Sequence, residues 1–292
     1  MNDKVSVAFI GLGVMGYPMA GHLSARDYST AVYNRTTARA DQWSEEHAGS
    51  HQLTPKLASD GADFVMTCVG NDDDLRSVVL GEEGVFSGMK KGAVLIDHTT
   101  TSAIIARELS EEAEARGLRF LDAPVSGGQA GAENGALTIM VGGESETFEM
   151  AEPVMKSYGK TIVLMGDAGA GQLTKMVNQI CIAGLVQGLS EGLNFAEKAG
   201  IDGKLAAKVM SGGAAQSWQM DNRAETMVDG KFEFGFAVDW MRKDLGICLD
   251  EAKRNGAKLP ITGVVDDLYA EVQSRGGNRF DTSSLILNLR DN

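Results

Sequence analysis

The sequence predicts an α/β protein in which a parallel, doubly wound sheet is followed by an all-α domain, with a long helix joining the two. A chain of 292 residues is long for a single hydrophobic core, so two domains are expected. β-like and helical segments alternate from Val5 to about Leu164, and no β-like run follows Gly166. We therefore expect domains at residues 1–165 and 166–292.

Each predicted element of the first domain has a local signature. Its strands are short apolar or β-branched runs, and the run from Phe64 to Val69 is typical of a strand buried on both faces of a sheet. The predicted strands lie at 5–10, 29–34, 63–69, 93–97, 118–123, 136–142 and 160–164, and the predicted helices at 14–26, 37–48, 72–80, 101–116 and 144–157. This alternation predicts helices on both faces of a parallel sheet.

Only helical segments follow in the second half. A long helix begins at Leu173 and reaches about Gly200, and further helices are predicted near 202–211, 217–228, 235–255, 261–274 and 282–289. The long helix is apolar on nearly all sides between residues 176 and 189, which predicts burial on several sides. Lys175 and Asn178 share one face of its first turns. Lys175 is either a surface lysine at the end of the helix or a functional group, and its position alone does not decide between them.

Composition and charge exclude several classes of function. The net charge of −13 argues against non-specific binding to nucleic acids or membranes, so we expect neither as a partner. No segment is apolar enough to span a bilayer, and no signal peptide is expected. Cys68, Cys181 and Cys248 lie far apart in apolar runs, which predicts reduced, buried thiols in a cytoplasmic protein. The four histidines lack the spacing of metal ligands, so no metal site is expected.

Three glycines after the first predicted strand indicate a nucleotide site. Gly11, Gly13 and Gly16 fit the G-x-G-x-x-G pattern, and the helix and second strand that follow complete a βαβ unit of the Rossmann type. Gly11 allows a tight turn, Gly13 lets a pyrophosphate approach the backbone, and Gly16 lets the helix lie close to the strand. The helix N-terminus offers free N–H groups to the phosphates. The expected cofactor contacts are Gly11, Leu12, Gly13, Val14, Met15 and Gly16. A purely structural glycine turn is the alternative.

The end of the second predicted strand indicates which nucleotide is bound. In NAD-binding proteins, an acidic residue about 20 residues beyond the glycines binds the adenosine ribose. This chain has Asn34, Arg35 and Thr36 there, with no acidic residue. Arg35 can pair with a 2′-phosphate and Thr36 can donate to it, so these three residues are expected to contact the cofactor. The sequence therefore favours NADP(H), with NAD(H) as the alternative. Arg35 as a solvated loop residue is the competing interpretation.

Four stretches give the chain a family resemblance over nearly its whole length. They are Phe9–Gly16, Asp122–Gly128, Gly169–Asn178 and Lys243–Leu245, in this order and spacing. With them, the chain resembles the β-hydroxyacid dehydrogenase family, which includes 3-hydroxyisobutyrate dehydrogenases, tartronate semialdehyde reductases and glyoxylate/succinic semialdehyde reductases. The second stretch is similar to the substrate-binding signature of that family, and the third is similar to its catalytic-lysine helix.

The resemblance implies roles for residues of the substrate site. Lys175 would be the catalytic residue, which resolves the ambiguity that its position leaves, and Asn178 would help to hold the substrate. The loop of Ser126, Gly127 and Gly128 would bind the substrate carboxylate. That role is chemically reasonable because paired glycines expose backbone N–H groups and serine adds a hydroxyl donor.

The resemblance also implies cofactor contacts beyond the glycine-rich loop. Lys243 matches the lysine with which the family reaches the cofactor, and Asn71 and Thr100 lie in loops that usually touch it. Both loops depart from the family pattern. The segment 70–74 has three aspartates where the family more often has Leu-Pro, and Thr100 stands where serine is frequent. His98 has no catalytic partner in the sequence, so we expect it to be structural or to line the cleft wall.

These observations predict an NADP(H)-dependent oxidoreductase that interconverts a small β-hydroxy acid and its semialdehyde, with Lys175 as general acid and base. The substrate is expected to be of the 3-hydroxyisobutyrate or glyoxylate/succinic semialdehyde type, a small carboxylate-bearing aldehyde or hydroxy acid. An imine reductase on the same fold typically lacks the lysine, and a non-catalytic NADP-binding module is the alternative outside enzymes. The long apolar helix and the resemblance further predict a homodimer or homotetramer.

Overall fold

A computed structural model of the chain describes residues 4–290. The chain divides into two compact units, with the boundary between Lys175 and Met176. The first unit is a doubly wound α/β domain and the second is helical, so the predicted fold class is confirmed. A single long helix contains the boundary.

The described strands form one sheet in which most neighbouring strands run parallel to each other. They are β1 (Ser6–Ile10), β2 (Ser29–Tyr33), β3 (Ser50–His51), β4 (Phe64–Thr67), β5 (Val94–Asp97), β6 (Arg119–Asp122), β7 (Val125–Ser126), β8 (Leu137–Gly143) and β9 (Gly159–Gly166). Their order is β3-β2-β1-β4-β5-β6-β8-β7, and β9 also pairs with β8. Strands β1 to β6 pair in parallel throughout. Their carboxyl ends therefore meet at one edge, where ligands bind in sheets of this kind.

One end of the sheet departs from the predicted parallel arrangement. β8 runs antiparallel to both β6 and β7, and only β9 pairs with it in parallel. The chain reverses directly after β7 through Gly127 and Gly128, whose φ angles of 129° and 60° are positive. Helix α6 (Gly128–Glu133) follows this turn, and the chain then returns along β7 in the antiparallel direction as β8.

Helices cover both faces of the sheet in the first unit. They are α1 (Gly16–Ala25), α2 (Thr37–Glu46), α3 (Pro55–Ser59), α4 (Asp72–Leu80), α5 (Ala103–Ala115), α6 (Gly128–Glu133) and α7 (Ser145–Met155), together with a short 3-10 turn at Val85–Ser87. One core packs α1, α2 and α7 against the sheet around Phe9 and Trp43. The other packs α3, α4 and α5 around Ile10 and Leu95. β1 contributes to both cores because its alternate residues point to opposite faces.

The second unit is built from helices around two further apolar clusters. The long helix α8 (Ala170–Lys198) enters it and is followed by α9 (Gly203–Met210), α10 (Trp218–Val228), α11 (Val238–Asn255) and α12 (Pro260–Ser274). The last element, Thr282–Leu289, is a 3-10 helix. One cluster centres on Tyr269, which is fully buried and donates to the carbonyl of Thr282 at 3.1 Å. The other contains Met227 and Phe232.

Burial of α8 and of the cysteines differs from the prediction. Val177, Cys181, Leu185 and Phe195 form an exposed stripe on α8, which we call the α8 stripe. These residues recur at intervals of three to four or multiples of them, so they share one helix face. The expectation of buried thiols is therefore wrong for Cys181, whereas Cys248 is buried and Cys68 is partly buried. The cytoplasmic location stays a prediction.

Among residues 4–290, no helix combines the length and the apolar character that crossing a membrane requires.

Candidate active site

The three fingerprint glycines have three different environments. Gly11 has a φ of 100°, and a Cβ there would overlap the carbonyl oxygen of Cys68. At Gly16, a Cβ would overlap the carbonyl oxygen of Gly11 and lie 2.8 Å from Cε1 of Phe9, so only glycine lets α1 pack this closely on β1. At Gly13, a Cβ would meet no protein atom within 4 Å. Gly11 and Gly16 therefore serve the fold, whereas Gly13 keeps a surface of the loop open.

Asn34 fixes the shape of this loop from the end of β2. Its Oδ1 accepts from the backbone N–H of Leu12 at 2.9 Å, and its Nδ2 donates to the carbonyl of Thr36 at 3.0 Å. Leu12 is fully buried, whereas Val14 is 49% exposed. Met15 precedes the first residue of α1, where no side chain caps the helix. Within this first turn, the N–H of Tyr17 donates to the carbonyl of Gly13 at 3.1 Å, and Pro18 has no N–H. An anion at this helix start would therefore have to bind N–H groups that precede Tyr17.

Arg35 extends into solvent beside an acidic neighbour. Its side chain is 86% exposed, and Nη1 lies 3.2 Å from Oδ1 of Asp74. Asp74 belongs to the first turn of α4, which Asn71 caps by accepting from the Asp74 backbone N–H at 2.8 Å. Thr36 precedes α2 without a side-chain capping bond, so its hydroxyl is not committed to the helix. The side-chain oxygen of Asn71 serves this cap, and its predicted cofactor contact remains a prediction.

The start of α8 is bound to the carboxyl ends of two neighbouring strands. Asp122, the last residue of β6, accepts from the N–H groups of Gly169 at 2.7 Å and Gln172 at 2.8 Å. Gln172 in turn donates to the carbonyl of Thr99 at 2.7 Å and accepts from the N–H of Thr101 at 3.1 Å. A carboxylate at a helix N-terminus satisfies unpaired N–H groups and complements the helix dipole. Burial raises the pKa of Asp122, and the backbone donors limit that rise.

Lys175 lies one turn beyond Gln172 on the same helix. The two residues are three apart and therefore share a face of α8. Lys175 is 8% exposed and Gln172 is fully buried. A Cβ at Gly171 would lie 2.7 Å from the carbonyl oxygen of Asp122, so glycine is required for the helix to start this close to β6. The interpretation of Lys175 as an ordinary surface lysine is therefore wrong.

The loop after β7 presents backbone rather than side chains. Ser126 is partly buried, and Gly127 and Gly128 are exposed. A Cβ at Gly128 would meet nothing within 4 Å, so its positive φ, and not crowding, selects glycine there. The loop continues into α6, and its binding of a substrate carboxylate stays a prediction.

A chain of polar side chains links Asn178 to Lys243 within the second unit. Nδ2 of Asn178 donates to Oε1 of Gln179 at 2.8 Å, and Nε2 of Gln179 donates to Oδ2 of Asp244 at 2.6 Å. Nζ of Lys243 lies 3.1 Å from Oδ1 of Asp244. Gln179 and Asp244 are each only 2% exposed. Buried polar groups of this kind are expensive unless they are paired, so the arrangement is well defined.

Two buried titratable groups lie at the end of β5 and beside it. Oδ1 of Asp97 accepts from the hydroxyl of Thr67 at 2.7 Å and from the N–H of Thr99 at 3.1 Å. Burial raises the pKa of Asp97 to about 7. Burial lowers the pKa of His98 to about 4, so its imidazole is neutral and bridges the carbonyl of Ala123 at 2.6 Å and the hydroxyl of Tyr158 at 2.8 Å. The expected structural role of His98 is confirmed.

The fold brings several predicted residues of the first unit to the carboxyl edge of its sheet. The glycine-rich loop, Asn34 and Thr100 follow the ends of β1, β2 and β5. Asn178 and Lys243 belong to the second unit and are joined there through Gln179 and Asp244.

The sequence did not single out Asp122, Gln172, Gln179 or Asp244 individually. The available signal was that Asp122, Gln172 and Asp244 are polar residues inside stretches that resemble the family, and that Gln179 directly follows the third of these stretches. No group of three or more metal-ligating side chains occurs within the described part of the chain.

Comparison with known proteins gives matches along both units. Residues 6–166 match the family model described as the NAD binding domain of 6-phosphogluconate dehydrogenase, and residues 169–289 match the one described as NAD-binding of NADP-dependent 3-hydroxyisobutyrate dehydrogenase. An uncharacterized oxidoreductase of Shewanella frigidimarina is 62% identical over 283 residues, which are 97% of each chain. The 2-hydroxy-3-oxopropionate reductase of Escherichia coli is 34% identical, over 97% of this chain and 96% of its own. The solved structure of 3-hydroxyisobutyrate dehydrogenase from Mycobacterium tuberculosis with L-serine superimposes with a TM-score of 0.89 at 29% identity, covering 99% of this chain and 100% of that one.

Proposed function

Because the chain belongs to the β-hydroxyacid dehydrogenase family, and is therefore an NAD(P)-dependent oxidoreductase acting on a CH–OH group, we propose that it interconverts a small β-hydroxy acid and its semialdehyde with NADP(H), using Lys175 as general acid and base. One observation carries the proposal for Lys175. Lys175 lies in the buried first turns of α8, which Asp122 and Gln172 bind to the ends of β5 and β6. A buried lysine held by a rigid support is suited to proton transfer.

The glycine-rich loop fits a dinucleotide. Gly13 leaves open space where a Cβ would otherwise lie, and Asn34 holds the loop through Leu12. When bound, a nicotinamide supplies or accepts the hydride. The loop residues 11–16 would hold the pyrophosphate through backbone N–H groups, and Lys243, Asn71 and Thr100 would make further contacts.

The preference for NADP(H) rests on Arg35. No acidic residue follows β2, and the exposed guanidinium is available to a 2′-phosphate. The Asp74 carboxylate, 3.2 Å away, both orients Arg35 and competes with a phosphate for it. Replacing Arg35 by Asp should raise KM for NADPH far more than KM for NADH. Asp74→Asn, which removes the competing charge, should lower KM for NADPH. Equal effects of Arg35→Asp on both cofactors would count against NADP(H).

Proton transfer is assigned to Lys175. During reduction its ammonium would donate a proton to the carbonyl oxygen of the substrate, where negative charge develops, and during oxidation the amine would take the proton from the hydroxyl. Ser126 and the N–H groups of Gly127 and Gly128 would bind the substrate carboxylate, and Asn178 would hold the reacting end. The names of the compared proteins, a 2-hydroxy-3-oxopropionate reductase and a 3-hydroxyisobutyrate dehydrogenase, support a small carboxylate-bearing substrate.

A substrate panel with two lysine variants tests this function. NADPH oxidation should be followed with glyoxylate, succinic semialdehyde, methylmalonate semialdehyde and tartronate semialdehyde. With the best of these, Lys175→Ala should lose roughly 10²–10⁴-fold in kcat, the usual contribution of general acid–base catalysis. Lys175→Arg is the matched control, because it keeps the positive charge but cannot exchange a proton near neutral pH. Full turnover by either variant would refute proton transfer by Lys175. NADPH binding without turnover of any aldehyde would instead favour a binding module.

Self-association is the second part of the proposal. The α8 stripe leaves Phe195 72% and Val177 61% exposed, and Ile261 and Val264 of α12 are also more than half exposed. Apolar exposure of this kind marks protein–protein interfaces. We propose that a second copy of the chain covers these residues in a homodimer or homotetramer. Light scattering should give a mass above that of one chain, and Phe195→Glu should lower it. A monomeric wild-type protein would contradict this part.

A further inference from the structure

We propose that Gln179 is a positioning residue that sets which end of the Asn178 amide faces the substrate. Asn178, Gln179 and Asp244 form a chain of hydrogen bonds, which we call the relay, and Asp244 fixes the direction of its donors and acceptors. The inference rests on the proposed function, because it assumes that Asn178 holds the substrate. It concerns two buried residues, Gln179 and Asp244, that the proposed mechanism does not otherwise use.

The direction of the relay follows from the chemistry of its members. A carboxylate only accepts hydrogen bonds, so the group of Gln179 that lies 2.6 Å from Oδ2 of Asp244 must be its NH₂ donor. Nζ of Lys243 lies 3.1 Å from the other oxygen of Asp244, so the two residues form an ion pair. An amide that donates with its nitrogen on one side presents its oxygen on the other. Oε1 of Gln179 therefore faces Asn178.

The same pairing of donors with acceptors fixes the orientation of Asn178. Because Oε1 of Gln179 only accepts, the group of Asn178 that lies 2.8 Å from it must be Nδ2. The carbonyl oxygen Oδ1 of Asn178 is then turned away from Gln179. Asn178 thus presents an acceptor, which suits a substrate hydroxyl or an ammonium and does not suit a carbonyl oxygen. Without the hydrogen bond to Gln179, this preference for one orientation of the Asn178 amide would be lost.

The surroundings hold Gln179 in place. It lies 2% exposed, and its Nε2 is also 3.8 Å from the sulfur of Met241 on α11. Both Met241 and Asp244 lie one turn apart on the buried face of α11. The Gln179 amide therefore has few alternative partners, and its orientation is transmitted from α11 to the substrate-holding residue on α8.

A double-mutant cycle tests the proposal in the oxidation direction, with NADP⁺ and the hydroxy acid that corresponds to the panel aldehyde of highest kcat/KM. Gln179→Leu removes both hydrogen bonds, and Asn178→Ala removes the amide that they orient. Each single change should lower kcat/KM by roughly 10-fold or more, as expected for loss of a buried hydrogen bond. The double variant should be no worse than Asn178→Ala, since Gln179 has nothing left to orient. NADPH affinity, measured by nicotinamide fluorescence, should not change in Gln179→Leu.

The possible results separate this proposal from the proposed function. If the losses of the two single variants multiply in the double variant, or if Gln179→Leu is as active as wild type, the positioning role is refuted and the role of Asn178 stands. If Asn178→Ala is fully active, the positioning role of Gln179 and the substrate-holding role of Asn178 are both refuted. The Lys175 variants then test proton transfer by Lys175 separately. If Gln179→Leu does not fold, Gln179→Met replaces it, because methionine has a similar length but has no N–H or O–H to donate to Asp244.

Discussion

Gly13 and Gly16 belong to one motif, yet replacing each by alanine should damage different properties. At Gly16, the new methyl group would overlap the carbonyl oxygen of Gly11 and come within 2.8 Å of the Phe9 ring. At Gly13 it would meet no protein atom within 4 Å. Neither glycine has a positive φ, so alanine is compatible with both backbone conformations. The two variants therefore differ only in what the methyl group touches.

The expected magnitudes have opposite signs for stability. Gly16→Ala forces α1 away from β1, and overpacking of this kind costs about 1–3 kcal/mol. Gly13→Ala reduces the freedom of the unfolded chain and should stabilise the protein by about 0.4–1 kcal/mol. Its cost should fall on the cofactor instead. Loss of one hydrogen bond between the backbone and a charged phosphate costs about 1.5–3 kcal/mol, which corresponds to roughly 10- to 150-fold in Kd.

Two measurements on the same samples separate an effect on stability from an effect on NADPH binding. Scanning calorimetry should show a lower Tm for Gly16→Ala, by ~2–4 °C for each kcal/mol lost, and an unchanged or higher Tm for Gly13→Ala. Titration with NADPH should show weaker binding by Gly13→Ala at a temperature where it is fully folded. The reasoning is refuted if Gly13→Ala binds NADPH as tightly as wild type, or if it lowers Tm as much as Gly16→Ala does.

Three further outcomes concern buried polar groups. Burial raises the pKa of Asp97 from its ordinary value of 3.8 to about 7, so wild type loses up to ~4 kcal/mol of folding stability as pH rises between these two values. Asp97→Asn should therefore gain in Tm relative to wild type between pH 4 and 7. His98 has the opposite linkage, with a pKa of about 4 against 6.5, so wild type loses up to ~3 kcal/mol as pH falls through that window, and His98→Gln should gain relative to wild type as pH falls. Parallel Tm profiles for variant and wild type would contradict either assignment. Asp122→Ala leaves two buried N–H groups of α8 unpaired, at about 1–3 kcal/mol each, and should lower Tm and kcat more than Asp122→Asn, which keeps one acceptor oxygen. Equal Tm and kcat values for the two Asp122 variants would argue against the cap.

The larger elements of the fold were predictable because their signals are local. Apolar runs and glycine positions are enough to identify β1, α1 and β2, and the lengths of α8 and α11 follow from uninterrupted helical patterns. The elements that were missed are short. β3 and β7 have two residues each, and α6 has six, so none of them has a full period of apolar alternation. The antiparallel pairing of β8 with β6 and β7 was also missed, because strand direction depends on pairing between segments and not on a local pattern.

The site was predictable to a smaller extent, for a different reason. Glycine spacing and the absence of an acidic residue directly after β2 are readable along the chain, and the family resemblance points to Lys175 and Asn178, whose roles stay predictions. The groups that support them are distant in sequence. Asp122 binds the helix start 47 and 50 residues later, and Gln179 binds Asp244 65 residues away. Hydrogen bonds across such separations depend on the completed fold, and the pKa shifts of Asp97 and His98 depend on burial in the same way.

The spacing between Lys175 and Asn178 is nevertheless secured by local geometry. Both lie on α8, three residues apart, and an α-helix advances about 1.5 Å per residue, so their backbones are separated by roughly 4.5 Å along the axis. The boundary between the compact units falls between them, after Lys175. Asp122 and Gln172 fix the helix in the first unit, whereas Gln179 and Asp244 fix the Asn178 amide in the second. The two residues, which we propose as proton donor and substrate-holding amide, therefore have a spacing along α8 that the local helix geometry sets.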